Sequence, residues 1–555
     1  MAQGQNSRMS GRFAWASAPL NSIRKHGPGQ VQFWIIALLI GIAAAFATLG
    51  FRLSIVWLQT LLYGESEEVL LSAARTVPWY LMMGLPILGG LLVGIILHRY
   101  TPDGRARSVA HVIEGAAIHD GKVEGRAGLA STFASLITLS TGGSTGREGP
   151  VVHIGALISS KVSRILKTDA ITSRDLMGCA VAAAVAASFN APLAGALFAM
   201  EVVLRHYAVH ALAPILIAAV SGSVVSRLYF GNITEFSLPT HNQDFYVELP
   251  AFILLGVVSA LVAVALIRAI FWAEDLGDRA QAWIGFPNWL RPAIAGAALG
   301  VIALKFPHII GVGYETMSDA LTGELVLISA IVFAVVKGVA VVITLAGRMG
   351  GGIFSPAMMM GALTGLAFGG VAVAIFPSVQ GDETLYAMAG MGAVAAAVLG
   401  APISTTLIVI ELTGDWQAGL AVMVAVSIAT ALTSSMVHRS FFLTQLERLG
   451  VHLADGPHNY LLTKYCVSDI MRKSERLKSS TQKRMWKLIE QGIYLDASAT
   501  LKTAMPMFDH GAQKQIPIVH LGGQGTATEL SGALYYVDAL KTYNQALSDA
   551  SKEEH

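Results

Sequence analysis

The sequence predicts an all-α polytopic membrane protein with a small α/β domain at its C-terminal end. The first observation is composition: 54% of the 555 residues are hydrophobic, 13% are charged, and the mean hydropathy is +0.58. Soluble domains are about 25% charged, so a water-soluble domain, a disordered chain and a nucleic-acid-coating protein are excluded. The net charge of +2 indicates no strongly charged partner. The expected surroundings are a lipid bilayer, and no nucleic acid.

The second observation is a change in composition near residue 455. From Gly456 to His555 there are 12 Lys or Arg and 10 Asp or Glu, which is ordinary for a soluble domain. We therefore predict a cytoplasmic N-terminal segment over residues 1–30, a membrane domain over 31–450 and a cytosolic domain over 465–548. The first segment is basic and no acid precedes Glu65, so the positive-inside rule places the N-terminus in the cytoplasm.

The third observation is a series of apolar runs, several of them shorter than the about 20 residues of a complete span. Glycine and proline interrupt many of them, which is typical of discontinuous helices that line an enclosed cavity. This pattern favours a transporter or channel over a receptor or anchor. The runs lie at 31–51, 79–98, 129–141, 151–165, 176–204, 209–230, 249–272, 291–306, 324–346, 354–376, 385–412 and 417–437.

The runs contain an internal repeat. Two blocks of the first half recur in the same order and with matching spacings in the second half, so we predict a duplicated unit over about 31–240 and 250–450. The halves would meet near Pro239–Pro250, and inverted topology is the commonest arrangement for such repeats. The blocks are GREGPVVHIGA (146–156) and AVAAAVAASFNAPLAGALFAMEV (180–202), then GGGIFSPAMMMGA (350–362) and MGAVAAAVLGAPISTTLIVIEL (391–412).

Four prolines of the repeated blocks each open an apolar run: Pro150, Pro192, Pro356 and Pro402. Proline suits the first turn of a helix, where its missing N–H costs nothing. A helix N-terminus offers unpaired N–H donors and about half a positive charge. Termini that converge at mid-membrane would hold a small inorganic anion weakly enough to release it. The alternative is a set of ordinary proline-kinked membrane helices.

Glu148 is the most informative residue of the repeat. Its carboxylate precedes a predicted positive helix end and can occupy the place of an anion, so protonation or outward movement would free the site. The alternative is a surface carboxylate that stabilises the helix. Gly146 and Gly149 favour the first interpretation because glycine lets backbone approach a ligand closely. Arg147 is interpreted as a structural or entrance charge.

Two further acids, Glu201 and Glu411, lie in apolar segments at equivalent places of the two halves. Intramembrane acids are candidates for function. Their equivalence favours instead a shared structural role at a helix end. His153 and Cys179 are interpreted as packed side chains. Because Cys179 and Cys466 lie far apart, no disulfide framework is predicted.

These motifs resemble a known family. GREGP at 146–150, NAPLAG at 190–195 and GGIFSP at 351–356 are similar to the signature segments of the CLC chloride channels and chloride/proton antiporters. The resemblance covers about residues 30–450 and is closest to the bacterial ClcB-like branch. It implies an inverted repeat of tilted, often incomplete helices in the cell membrane. It also implies a homodimer with one anion pathway per subunit.

The resemblance implies roles for individual residues. Glu148 corresponds to the gating glutamate, between Gly146 and Gly149 of the same signature. Ile353 and Phe354 correspond to the backbone N–H donors of the central anion site. Ser108 falls at the anion-binding serine, although the family's surrounding glycines and proline are replaced in RSVA (107–110). A serine rather than a proline at this position implies chloride over nitrate.

Two departures from the family bear on mechanism. Phe442 stands where antiporters carry a tyrosine hydroxyl, so one donor of the anion site is lost. Val202 stands where antiporters commonly carry a proton-transfer glutamate. Because valine carries no proton, we predict passive chloride conduction gated by Glu148. Coupled chloride/proton exchange is the alternative, and transport of another anion such as nitrate or fluoride is a third.

The last hundred residues resemble a single CBS module, which would pair across the dimer and place the C-terminus in the cytosol. It would begin at VSDIM (467–471), continue through strands at 516–520 and 530–534, and close with a helix at 538–543. A basic helix at 483–490 is an insertion. The segment GGQG (522–525) is interpreted as a loop, so nucleotide binding stays unsupported.

Neither a cofactor, nor a metal site, nor a catalytic residue is predicted. The HExxH zinc motif is absent from the sequence, and the apolar runs carry no protease-like nucleophile or aspartate pair. An enzyme is therefore not indicated. A transporter of organic solutes is disfavoured because, apart from Arg268 and Lys337, the apolar runs offer few polar groups for a substrate.

Overall fold

A computed structural model describes residues 29–65, 71–72, 77–231, 236, 245–375, 383–416, 418–451, 453, 462, 465–511, 513–521 and 527–553. Nearly all of the predicted N-terminal segment, half of the predicted junction (residues 239–244) and the GGQG loop lie outside these residues. The chain forms two compact units. The first extends to Leu449 without residues 208–210, and the second comprises residues 208–210 and the chain from Gly450.

The first unit is helical. Its described helices are α1 (Gln30–Tyr63), α2 (Trp79–Tyr100), α3 (Val109–Ala117), α4 (Gly125–Ser140), α5 (Glu148–Leu166), α6 (Ala170–Phe189), α7 (Pro192–Phe198), α8 (Val209–Phe230), α9 (Phe245–Ile284), α10 (Arg291–Ala303), α11 (Tyr314–Leu321), α12 (Leu327–Ala346), α13 (Phe354–Ile375), α14 (Glu383–Leu399), α15 (Pro402–Thr413), α16 (Gly419–Met436) and α17 (Phe441–Arg448). A π-helical turn, Ala199–Leu204, continues α7.

Among the described residues, eight helices are long and apolar enough to cross a membrane. Three further apolar helical segments are shorter than a complete span: Pro192–Leu204, Glu383–Leu399 and Pro402–Thr413. A multi-pass membrane unit with discontinuous helices is therefore confirmed. Its large helices expose many apolar side chains, Leu228 and Trp283 among them, as a lipid-facing surface requires.

Two of the predicted apolar runs, 176–204 and 385–412, are each split into two helices. The first breaks at Asn190 and the second at Gly400, both of which adopt a positive φ (55° and 71°). Such a conformation ends a helix. Pro192 and Pro402 then begin the next helix, because proline is preorganised for the first helical position. The prediction that these two prolines open helices is confirmed.

The other two prolines lie slightly deeper than predicted. α5 begins at Glu148 and α13 at Phe354, so Pro150 and Pro356 are each the third helical residue. Proline is tolerated there because the first N–H groups of a helix have no intrahelical acceptor. Glu148 itself is therefore the first residue of its helix.

The two halves contact each other reciprocally. Glu201 accepts hydrogen bonds from the backbone N–H groups of Ile403 (3.0 Å) and Ser404 (2.7 Å), at the start of α15. Glu411 accepts hydrogen bonds from those of Leu193 (3.2 Å) and Ala194 (2.8 Å), at the start of α7. Equivalent residues exchanging equivalent contacts is what a two-fold relation between repeats produces. The predicted helix-end role of the two glutamates is confirmed.

The second unit is a small α/β fold. Its sheet has the order β1 (Arg472–Lys473), β4 (Ala527–Tyr535), β3 (Gln515–Leu521) and β2 (Leu495–Asp496), with β2 and β3 parallel and the other pairs antiparallel. The predicted strands and closing helix are confirmed with wider bounds. The described helices of this unit are Val467–Ile470, Ser479–Glu490, Leu501–Gly511 and Tyr536–Glu553.

The core of this sheet fold centres on β3, where residues 516–519 are all buried. Ile516 and Ile518 share a face of the strand and pack with Leu501 and Leu534. Val519, which points to the opposite face, is also completely buried, so both faces of β3 are covered. The predicted basic insertion lies in the helix Ser479–Glu490, whose own residues Met485 and Leu488 are buried.

Candidate functional site

The GREGP and GGIFSP loops meet in the centre of the first unit. Gly146 and Gly352 form an antiparallel bridge, in which the N–H of each donates to the carbonyl of the other at 2.7 and 2.8 Å. The bridge pairs the residues just before α5 with those just before α13. The N-termini of these two helices are therefore held together at the interface between the repeats.

Close approach of the two loops depends on glycine. A Cβ on Gly352 would lie 2.8 Å from the backbone nitrogen of Gly149, and one on Gly149 would lie 3.1 Å from the Cα of Gly352. Gly351 adopts a φ of 140°, which disfavours other residues. We expected the glycines beside Glu148 to admit a ligand. In the structure, Gly146 and Gly149 instead lie against the backbone of Gly352, in the opposite repeat.

Glu148 is buried, with 3% of its surface exposed. Its carboxylate accepts a hydrogen bond from the Ser355 hydroxyl and lies 3.4 Å from the Ser355 backbone nitrogen. Ser355 is the second residue of α13. The carboxylate therefore reaches across the repeat interface and occupies donors at the positive end of the opposite helix.

A cavity of about 80 Å³ lies beside the bridge. Its lining includes Ser108, Gly149, Ile353 and Phe442, which are four of the residues predicted to form the anion site. Because a water occupies about 30 Å³ of liquid, the cavity has room for a small ion with one or two waters. The structure thus brings together residues that lie more than 300 positions apart in the chain.

Hydrogen bonds to side chains hold the Ser108 loop, which lacks the family's glycines. Ser108 immediately precedes α3, and its backbone N–H donates to Nδ1 of His111 at 3.1 Å. The backbone N–H of Arg107 donates to the Ser131 hydroxyl at 2.7 Å. The Ser108 hydroxyl donates to Oε1 of Gln445, on α17, at 2.9 Å.

A charged pair secures the beginning of the same loop. Burial alone would raise the pKa of the Asp103 carboxyl, but the Arg107 guanidinium and the backbone N–H of Arg105 hold that pKa below its usual range. The Asp103–Arg107 ion pair is 3.0 Å long. The arrangement positions the backbone that leads into Ser108.

The remaining predicted residues lie near the cavity or away from it. The Phe354 ring packs against Phe189 and Phe198, with centroids 5.2 and 6.3 Å apart, so only its backbone can serve an anion. Gly146 and Glu148 lie at the bridge. Val202 is 6% exposed on the π-helical turn and does not line the cavity.

Four polar residues of the cavity lining escaped the prediction: Arg105, Glu274, Arg348 and Gln445. Arg105 lies 2.8 Å from Glu274, and Arg348 lies 2.9 Å from Asp278. Arg348 precedes Ile353 by five residues, and Arg105 precedes Ser108 by three. Their closeness in sequence to predicted anion-site residues could have indicated that they line the same cavity. Gln445 has no such signal, because only packing of α17 brings it there.

Other polar groups of the unit are structural. Arg147 donates to the Ser188 carbonyl at 3.2 Å and to the Tyr314 hydroxyl at 2.8 Å. Lys337 donates to the carbonyls of Ile309 and Gly311 at 3.2 and 2.9 Å. Among the described residues, no group of three or more His, Cys, Asp or Glu side chains is placed to hold a metal ion.

Comparison with known proteins assigns the family. The profile of the voltage gated chloride channel family matches residues 89–434. A putative chloride channel protein, ClcB-like, from Ralstonia nicotianae is 31% identical over 394 residues, covering 70% of this chain and 91% of that protein. The chain is also similar to the voltage-gated ClC-type chloride channel ClcB of Escherichia coli, which is 29% identical over 416 residues, 74% of this chain and 97% of that protein.

Solved structures share the fold. A slow cyanobacterial Cl−/H+ antiporter has a TM-score of 0.67 at 21% identity, covering 75% of this chain and 97% of that one. A eukaryotic CLC transporter has a TM-score of 0.66 at 17% identity, covering 94% of this chain and 98% of that one. The chain therefore belongs to the CLC family of voltage-gated chloride channels and transporters.

Proposed function

We propose that this member of the CLC family conducts chloride passively and that Glu148 is the gate of its pathway. One observation carries the proposal. The Glu148 carboxylate occupies the donors of Ser355 at the start of α13, beside a cavity lined by Ser108, Ile353 and Phe442. A helix N-terminus is a site that anions prefer.

The gate follows from competition for the same donors. A carboxylate and a chloride ion carry the same charge, so both do not occupy one helix end together. Protonation removes the charge of the carboxyl and weakens its attraction to the helix end. The side chain then leaves, and its donors become available to the anion. Conduction should therefore rise as the pH falls.

Passive conduction is supported by the position of the inner acid. Val202 carries no proton, and its neighbour Glu201 is committed, because both carboxylate oxygens accept backbone N–H groups of α15. Removing either bond would leave a helix-end donor unpaired. The π-helical turn therefore offers no unengaged carboxylate to relay protons towards Glu148.

Coupled chloride/proton exchange is the second candidate, and one observation favours it. α3 packs against the π-helical turn and carries Glu114, a half-buried acid 3.4 Å from His119. An acid near the place of the missing glutamate could receive protons. Transport of nitrate or fluoride is a third candidate, and Ser108 favours chloride over nitrate.

The deciding experiment is anion flux from proteoliposomes that contain the purified chain. The channel proposal expects chloride efflux that requires valinomycin to balance charge, with no proton movement against its gradient. Stoichiometric proton uptake in the opposite direction would select the antiporter. The reversal potential, measured at fixed chloride, should stay constant when a pH gradient is imposed. A shift with the pH gradient would contradict passive conduction.

Assembly and location are part of the proposal. α7 and α15 pack together, are too short to span, and expose the apolar side chains Leu193 (43%) and Ile403 (49%). A second copy would cover this face, so we propose a homodimer in the cell membrane with one pathway per subunit. Both termini would be cytoplasmic. Residues 465–548, which form part of the second unit, would be a CBS-like module. Light scattering of the purified protein in detergent, corrected for bound detergent, tests the dimer.

A further inference from the structure

Gln445 lines the cavity but has no assigned role. It lies on α17, three residues after Phe442, so one helical turn places both side chains on the same face. Its Oε1 accepts the hydrogen bond of the Ser108 hydroxyl at 2.9 Å. Among the described residues, the Gln445 Nε2 has no hydrogen-bond acceptor.

The cavity is poor in other donors. Of its lining side chains, only Ser108 and Gln445 are polar and uncharged. The lining arginines are engaged by carboxylates, since Arg105 pairs with Glu274 and Arg348 with Asp278. Phe442 supplies a ring and no hydrogen bond. Among the described residues, the Nε of Arg348 has no hydrogen-bond partner, so this arginine can offer one more donor. The uncharged donors that can face an anion here are the backbone N–H groups, Ser108 and Gln445.

The chemistry of the amide connects these two side chains. A serine hydroxyl has one proton, and while that proton is directed to the Gln445 oxygen it cannot be directed to an anion. The carbonyl and amino ends of a glutamine exchange places by a half-turn about the last side-chain bond. After this turn, one N–H of Gln445 donates to the Ser108 oxygen, and the Ser108 proton is released. The second N–H remains for another acceptor.

We propose that Gln445 is an anion-binding residue of this chain and supplies the donor that Phe442 lacks. With an anion in the cavity, the amide turns its Nε2 inward, donates to the Ser108 oxygen and frees the serine proton for the anion. Two donors thereby become available through one side chain. This inference rests on the proposed anion-transport function, and it assigns a residue within the same site.

The test measures chloride affinity of the full chain by isothermal titration calorimetry, alongside chloride flux in proteoliposomes. Gln445→Leu should weaken chloride binding about tenfold or more, the size expected for one lost hydrogen bond to a charged group. Gln445→Glu keeps the shape but places a negative charge in the cavity. It should weaken binding further at neutral pH and recover in acid, as the new carboxyl is protonated.

A rescue separates anion binding from packing. Phe442→Tyr in the Gln445→Leu background restores a hydroxyl donor and should return the affinity to within about threefold of the wild type. Thr444→Val is the matched control. The Thr444 hydroxyl donates to the carbonyl of Arg439, two residues before α17, at 3.2 Å, and Thr444 does not line the cavity. This variant should bind chloride as the wild type does.

The outcomes distinguish the two proposals. Unchanged affinity in Gln445→Leu, or a loss that Phe442→Tyr does not repair, would overturn the role of Gln445 while leaving anion transport intact. A wild-type chain that neither binds nor moves chloride would overturn the proposed function itself. Should Gln445→Leu fail to fold, Gln445→Glu decides, with its chloride affinity compared at each pH with that of the wild type, whose own site opens in acid. A deficit that is larger at neutral pH than in acid supports the inference, and a deficit that does not change with pH, or none at all, overturns it.

Discussion

The two halves of the membrane unit are alike at one pair of helix starts and different at another. At the starts of α7 and α15, Glu201 and Glu411 cap each other's repeat with the same pair of backbone hydrogen bonds. At the starts of α5 and α13, the bridge Gly146–Gly352 is equally reciprocal. The first residues of those helices, however, are Glu148 and Phe354.

This difference separates structural residues from functional ones. A residue that has an equivalent with equivalent contacts in the other half serves the two-fold packing. Glu148 has no acidic equivalent in the second half, where Phe354 stands. Its carboxylate contacts the hydroxyl and the backbone N–H of Ser355, at the start of α13 in that half. Because of this difference, α5 begins with a carboxylate, whereas α13 begins with a residue that offers only its backbone. Under the proposed function, this asymmetry is what gives a duplicated scaffold one gate and one anion site.

The largest expected effect, on chloride flux, comes from removing the charge of Glu148, which the second half lacks. Glu148→Gln should raise chloride flux at neutral pH to the level that the wild type reaches in acid, and should abolish the dependence on pH. In the wild type, flux should rise as the pH falls, because the protonated fraction of a carboxyl grows up to about tenfold per pH unit. Flux from proteoliposomes at several pH values is the measurement. Retention of the wild-type pH profile in this variant would remove Glu148 as the gate.

The next effect comes from the bridge itself. Gly352→Ala should destabilise the protein by about 1–3 kcal/mol, the usual cost of overpacking, because the new Cβ would lie 2.8 Å from the Gly149 nitrogen. Gly149→Ala should cost less, since its nearest contact is 3.1 Å. Thermal unfolding in detergent checks both. Equal stability of the two variants and the wild type would show that the loops do not need their close approach.

The smallest effect tests the matched pair. Glu201→Gln and Glu411→Gln should each cost about 1–2 kcal/mol, because an amide N–H₂ would face a backbone N–H donor at a helix end. The two losses should be similar, and neither variant should alter the pH dependence of flux. If Glu201→Gln changed the pH profile and Glu411→Gln did not, Glu201 would be a proton carrier. That result would favour coupled exchange over passive conduction.

Much of the architecture was predictable because its causes are local. Proline after a small residue predicted the starts of α7 and α15, and the spacing of the repeated blocks predicted equivalent glutamates. The two-residue displacement of Pro150 and Pro356 was not predictable, because proline is tolerated throughout the first turn, where the N–H groups have no intrahelical acceptor. Likewise, Gly146 and Gly149 indicated a close approach to a ligand, without showing that the residues they contact are the backbone of the other repeat.

The sequence by itself determined that the chain is a membrane protein, that two blocks of it are repeated and that Glu148 lies beside the start of a helix. Composition, the spacing of repeated blocks and the residues that begin helices are all properties of the linear chain, so they can be recognised in the sequence. Only the tertiary structure decided which side chains share the cavity. Gln445 meets Ser108, and Arg348 meets Asp278, across separations of 337 and 70 residues. Such meetings depend on how helices pack, and no local pattern encodes them.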